Sequence, residues 1–138
     1  MFGLLIAGNH LDIRAQMAET FIQAGYHVIV TNSAANALHG ILKKTAQVVL
    51  LGSEIEDVKA GELVPLLKKC NNEVTIILVS EEDSLASLRK LREEGIFYHA
   101  LPPVKNEDWE EIRQAVQCAF ENLTRNQAVQ GRNDKQPS

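Results

Sequence analysis

Five short β-like runs alternate with segments of helical period along this chain, and that alternation limits its fold more than any single residue does. The runs read Phe2–Ala7, His27–Val30, Gln47–Leu51, Val74–Val79 and Phe97–Leu101. After the first run, Ile13, Met17, Phe21 and Ala24 recur at helical spacing. The next helical faces are Ala34, Ala37, Leu38, Ile41 and Leu42 through Lys44, then Leu63, Leu66 and Leu67, then Leu85, Leu88 and Leu91. Trp109, Ile112, Val116, Ala119, Phe120 and Leu123 form the last stripe. Repeated βα units with short connections imply a parallel sheet with helices on both faces. The near-continuous apolar character of the central runs agrees with burial on both sides. The expectation is an α/β, doubly wound (βα)5 domain, a three-layer sandwich.

Boundary residues support the elements. Asn9 is placed to cap the first helix, Asn32 or Ser33 the second, Asp83 or Ser84 the fourth and Asn106 the last. Gly25 and Gly95 fall where left-handed residues end helices. Glu107, Asp108, Glu110 and Glu111 suit the positive end of the last helix. The 138-residue length fits one domain. That domain is expected over residues 1–123, and the polar stretch 124–138, with Gly131 and Pro137, reads as a disordered tail or linker stub.

A net charge of −4 gives no global field to recruit nucleic acid, so no nucleic-acid partner is expected. No apolar run approaches the ~20 residues that span a bilayer, and no basic region with a cleavage site opens the chain. The expectation is a cytoplasmic protein without membrane association. Cys70 and Cys118 are isolated thiols and are expected to be reduced and structurally passive.

In an open α/β sheet, ligands and chemistry lie outside the carboxyl ends of the strands. Three of those ends here run into Gly8-Asn9, Gly52-Ser53 and Ser80, small or neutral residues where acid–base groups would be needed.

Order and spacing over roughly Phe2 to Leu123 resemble a receiver domain, the CheY-like module of bacterial two-component response regulators. The stretch from Gly8 to Gly25 has the receiver length from acidic pair to helix-ending glycine. Gly95-Ile96-Phe97-Tyr98 followed by Leu101-Pro102 resembles the receiver's Gly-Ala-x-x-Tyr-x-x-Lys-Pro segment, and Gly61 lies about one residue late for the glycine after the phosphoacceptor loop. The resemblance implies a flavodoxin-like strand order, 2-1-3-4-5, and a cis Leu101–Pro102 peptide.

The departures fall on the phosphate chemistry. Where receivers carry an acidic pair, this chain has Gly8-Asn9; Gly52 replaces the phosphoacceptor aspartate and Leu101 the lysine. Phosphoryl transfer needs a nucleophile, a cation such as Mg²⁺ held by carboxylates, and a fixed positive group. By resemblance Ser80 keeps the switch Ser/Thr position and Tyr98 the aromatic switch position. The chain thus reads as a degenerate or pseudo-receiver: a non-catalytic signalling domain with no cofactor and no metal.

The receiver resemblance places protein partners on the face made by the fourth helix, fifth strand and fifth helix. Tyr98, His99, Arg89, Arg92 and Trp109 are its candidate residues here, with Lys90 in the same basic cluster. The partner classes are a histidine kinase, an output protein or a second copy in a homodimer. Trp109 also reads as packing, and Tyr98 reads equally as interface or packing.

Other readings stay open. Glu54, Glu56 and Asp57 form either a solvated acidic loop or relocated groups for metal or phosphate. Gly8-Asn9-His10 matches no nucleotide fingerprint, yet small strand ends leave room for a small molecule or anion. Ser53 and Ser80 have only His10 and His99 near that edge and no G-x-S-x-G elbow, so serine catalysis is not expected.

Overall fold

A computed structural model describes residues 2–81 and 84–135, with side chains up to residue 126. β1 (Gly3–Ala7), α1 (Leu11–Gln23), β2 (His27–Thr31), α2 (Ala34–Leu42) and β3 (Val48–Gly52) open the chain. A small hairpin, β4 (Glu54–Ile55) and β5 (Val58–Lys59), leads into α3 (Ala60–Cys70). β6 (Thr75–Val79), α4 (Leu85–Glu94), β7 (Tyr98–Ala100) and α5 (Asn106–Lys135) follow. The main sheet is parallel in the order β2-β1-β3-β6-β7, which is the 2-1-3-4-5 order that the receiver resemblance implied.

Strand alternation divides the core in two. Leu5, Val49, Leu51, Ile76 and Leu78 pack under Ala37 and Ile41 of α2, Leu63, Val64 and Leu67 of α3, and Leu91 of α4. Leu4, Ile6, Val48, Leu50, Ile77 and Val79 face Met17 and Phe21 of α1 and Ile112, Val116 and Ala119 of α5. Every central strand is therefore apolar on both faces. That is why those runs read as nearly continuous in the sequence.

Ser33 and Ser84 cap α2 and α4, each accepting from a backbone N–H three residues on, while Asp83 lies outside the described residues. Gly25 and Gly95 have left-handed φ of 94° and 106°. α2 ends at Leu42, short of Lys44, which takes a left-handed φ of 61° while Thr45 Oγ1 donates to the Gly40 carbonyl.

Several expectations are corrected. His10, with no side-chain cap bond, holds the N-cap of α1 in place of Asn9. The Lys105 carbonyl accepts the first bonds of α5, so Asn106 is already inside the helix; Asp108 Oδ2 reaches back to the N–H groups of Val104 and Lys105, both at 2.9 Å. Those two donors hold the Asp108 carboxyl below the usual carboxylate range. No described peptide bond is cis, Leu101–Pro102 included. The segment read as a disordered tail from residue 124 is helical as far as Lys135. Its Arg, Gln and Ala residues are adequate helix formers, and extending an existing helix avoids the cost of nucleation.

Gly3 marks a close approach. A Cβ there would overlap the Thr45 carbonyl oxygen, a backbone atom held in place by hydrogen bonds between Gly3 and Gln47. Gly3→Ala is expected to destabilise the fold by about 1–3 kcal/mol, the usual cost of overpacking. A urea midpoint unchanged from wild type would show that β1 can move away.

Candidate functional site

The carboxyl ends of β1, β3, β6 and β7 bring Gly8, Asn9, Gly52, Ser80 and Leu101 to one edge. Gly8 and Gly52 are adjacent: a Cβ on Gly8 would lie 3.6 Å from Gly52 Cα, and one on Gly52 3.5 Å from Gly8 Cα. Both are ordinary contacts, so side chains would fit.

Asn9 is committed elsewhere. Its Oδ1 accepts from the Glu56 N–H at 2.7 Å and its Nδ2 donates to the Glu56 carbonyl at 3.0 Å. Glu56 in turn has a left-handed φ of 54°, and its Oε1 accepts from the Ala34 N–H at 2.6 Å. One acidic residue thus ties the hairpin turn to the first loop and to the N-terminus of α2, where negative charge is favoured. Glu56 thus acts as a brace among these three segments. The sequence signal for this was weak, because the bond spans 47 residues.

These residues do not fit a divalent cation. Glycines supply no donor at two strand ends, and the Asn9 amide is spent on Glu56. Among the described residues, no three His, Cys, Asp or Glu side chains cluster as a metal site. Leu101 puts an exposed isobutyl group after β7, where a fixed cation would be needed.

Ser80 is buried, and the ring that reaches it is His99. His99 Nε2 lies 3.2 Å from Ser80 Oγ and 3.0 Å from the Ser80 carbonyl oxygen. A carbonyl only accepts, so Nε2 carries the proton and cannot serve as a base toward the hydroxyl. The pair is a structural clasp between β6 and β7, not a nucleophile with its base. Tyr98 points the other way. It shares a face with Ala100, which packs among the α1 and α5 residues, and lies close enough to the Glu111 carboxylate of α5 to feel its charge. Partial burial first, and the Glu111 carboxylate second, push its phenol above the usual range. Of these two neighbours, His99 and not Tyr98 contacts Ser80. The register Leu78↔His99 and Val79↔Ala100 fixes this, and no three-residue strand reveals its register by composition.

The remaining candidates divide. Arg89 and Arg92 are exposed on α4. Trp109 packs partly buried against the α1–α5 side of the core, which favours its packing role. His10, Ser53, Glu54 and Asp57 are exposed. Cys70 and Cys118 are free thiols. The room that the small strand ends were expected to leave is a cavity of about 800 Å³, reaching from Ile13 and Met17 of α1 to Lys90 and Leu91 of α4, an extent the sequence did not show. Sequence reasoning missed Arg14, which lines that cavity with its Nε buried and without a hydrogen-bond partner. Among the described residues, no helix is long and apolar enough to cross a membrane.

No family model matches the chain. It is 26% identical over 113 residues to sporulation initiation phosphotransferase F of Bacillus subtilis, covering 82% of this chain and 89% of that protein. It is 24% identical over 100 residues to the DNA-binding transcriptional regulator NtrC of Rhizobium meliloti, covering 72% of this chain but 21% of that one. The chain therefore spans about a fifth of the NtrC protein it matches. A response regulator receiver domain protein from Methanospirillum hungatei superposes with a TM-score of 0.75 at 20% identity, covering 88% of this chain and 98% of that one. Together with the strand order, these likenesses establish that the chain has the flavodoxin-like fold of CheY-type receiver domains.

Proposed function

We propose that this chain is a receiver-type signalling domain that works by binding a protein partner and is not switched by aspartyl phosphate. The observation that carries the reading is the end of β3. Gly52 stands there against Gly8, with no carboxylate at either position to act as nucleophile or metal ligand. Losing one charge-stabilising donor typically costs about 3–4 kcal/mol of transition-state stabilisation. Here the nucleophile, the acidic pair and the cation after β7 are replaced together. The domain is on this reading non-catalytic and independent of a cofactor.

The surface around β7 supports partner binding. Phe97, Tyr98, Leu101 and Val104 all leave apolar area in solvent, Val104 at 86% exposure. Arg89 and Arg92 are exposed on α4, the helix that precedes β7. Exposed aromatic groups and arginines are the residue types enriched in interface hot spots. A histidine kinase, an output protein or a second copy of the chain are the partner classes that fit.

Incubation with Mg²⁺ and acetyl phosphate, read by intact mass, tests the reading. The expected result is an unchanged mass. A stable adduct of about 80 Da, the mass of a transferred phosphoryl group, would refute it.

A further inference from the structure

The cavity at the carboxyl edge has the size and lining of a small-molecule site. Its volume of about 800 Å³ lies within the range of ligand pockets. Its walls come from both halves of the core: Ile6, Ile13 and Met17 on the α1 side, and Ala60, Leu78 and Leu91 on the side of α3 and α4. Gly8 and Gly52 form the saddle between the two lobes, and side chains there would obstruct it.

The charges decide which end of a ligand goes where. Arg14 is half-buried in the α1 lobe, and its buried Nε has no partner among the described residues. A guanidinium set in the wall of a largely apolar cavity is best matched by an anionic group, which it can meet with charge-assisted hydrogen bonds. In the other lobe the half-buried Glu94 has an unpartnered Oε2. That carboxylate repels an anion, so the negative group belongs with Arg14. Glu54, Glu62 and Glu81, and the competing cations Lys59 and Lys90, also line the cavity, but all five are exposed and screened by solvent, unlike the half-buried Arg14.

We propose that this cavity binds a small organic molecule with an apolar body and one anionic group, the anion on Arg14 and the body over the Gly8–Gly52 saddle. The site is independent of the partner reading above. Its ligand would contact the first loop, the hairpin and the residue Ser80 that His99 clasps, so occupancy is placed to bias the β7 surface.

Anilinonaphthalene sulfonate is a suitable probe, because it joins an apolar ring body to one sulfonate. Its uncharged parent, phenylnaphthylamine, is the control. With the full chain, saturable binding of one sulfonate per protein is expected, about tenfold tighter than the uncharged parent, the worth of one charge-assisted contact. Arg14→Met should erase that tenfold preference, bringing the sulfonate and the uncharged parent to similar affinity. Gly52→Leu should abolish both. Circular dichroism and thermal melting show whether each variant is folded; if Gly52→Leu is not, Arg14→Met alone decides. Non-saturable binding, or a preference for the sulfonate that survives Arg14→Met, would overturn the proposal. Folded Gly52→Leu that binds as wild type would do the same.

Discussion

Replacing Gly8 and Gly52 together by aspartate is expected to make the thermal stability of this domain depend on magnesium, where that of the native chain does not. The geometry supports a full effect. A Cβ at either glycine meets nothing closer than 3.5 Å, and neither glycine has a left-handed φ. Each aspartate can therefore be built without moving backbone. Two carboxylates growing from adjacent strand ends would repel each other, which raises their pKa values and weakens the fold while no cation is present. Mg²⁺ is typically held by one or two carboxylates with water filling the rest of its shell. Binding to the folded state alone stabilises by mass action, about 2.7 kcal/mol when free metal is a hundred times Kd. Melting with EDTA and with millimolar MgCl₂ measures it. The double variant should melt below wild type in EDTA and recover with magnesium, while wild type stays constant. No magnesium response in the variant would mean that the two strand ends are not juxtaposed. Phosphoryl transfer is not expected of the double variant, because Leu101 still supplies no cation.

The layered architecture was legible in the sequence because its signal is repeated. Five apolar runs, three helix-capping or helix-ending residues (Ser33, Ser84 and Gly95) and the stripe from Trp109 to Leu123 agree with one another, and each is local. What was not legible depends on contacts distant in sequence. Asn9 has the chemistry of a helix cap and stands one residue before the N-cap of α1, yet Glu56 supplies both a donor and an acceptor, so two hydrogen bonds to the hairpin outcompete one to the helix. The hairpin itself has strands of two residues, too short for an alternating pattern. At β7 the family-like spacing back from Leu101-Pro102 singled out Tyr98, but pairing with β6 turns His99 toward Ser80. Resemblance located the segment; register decided which side chain faces the site. The cavity follows the same rule. Gly8, Gly52 and Arg14 are unremarkable separately, and only the parallel order β1-β3-β6 sets them around one space.

Phe21→Ala is expected to have the largest effect on stability of any single substitution considered. Phe21 is fully buried on the inner face of α1. Its ring meets Tyr26 edge-on at a centroid distance of 5.7 Å, Tyr26 stacks on Phe120 at 5.1 Å, and Phe120 approaches Phe2 at 6.1 Å. This chain of rings joins α1, the start of β2, α5 and the start of β1, at the end of the sheet opposite the glycines. Truncation removes the transfer energy of the ring and leaves a cavity that four elements would have to close together. Phe→Ala in such sites costs about 3–5 kcal/mol. For a domain of this size that corresponds to a melting shift of roughly 10–20 °C. Chemical denaturation should show a lower midpoint with an unchanged slope, since the surface exposed on unfolding is nearly the same. A loss below about 1.5 kcal/mol would mean that α1 can settle onto the sheet without the ring. The substitution also separates stability from binding. Phe21 does not line the cavity, whereas Met17, one turn earlier on the same helix, does. A folded Phe21→Ala protein below its melting temperature should therefore retain wild-type affinity for the sulfonate probe. Loss of that affinity in proportion to the lost stability would show instead that the cavity is held open only by global packing.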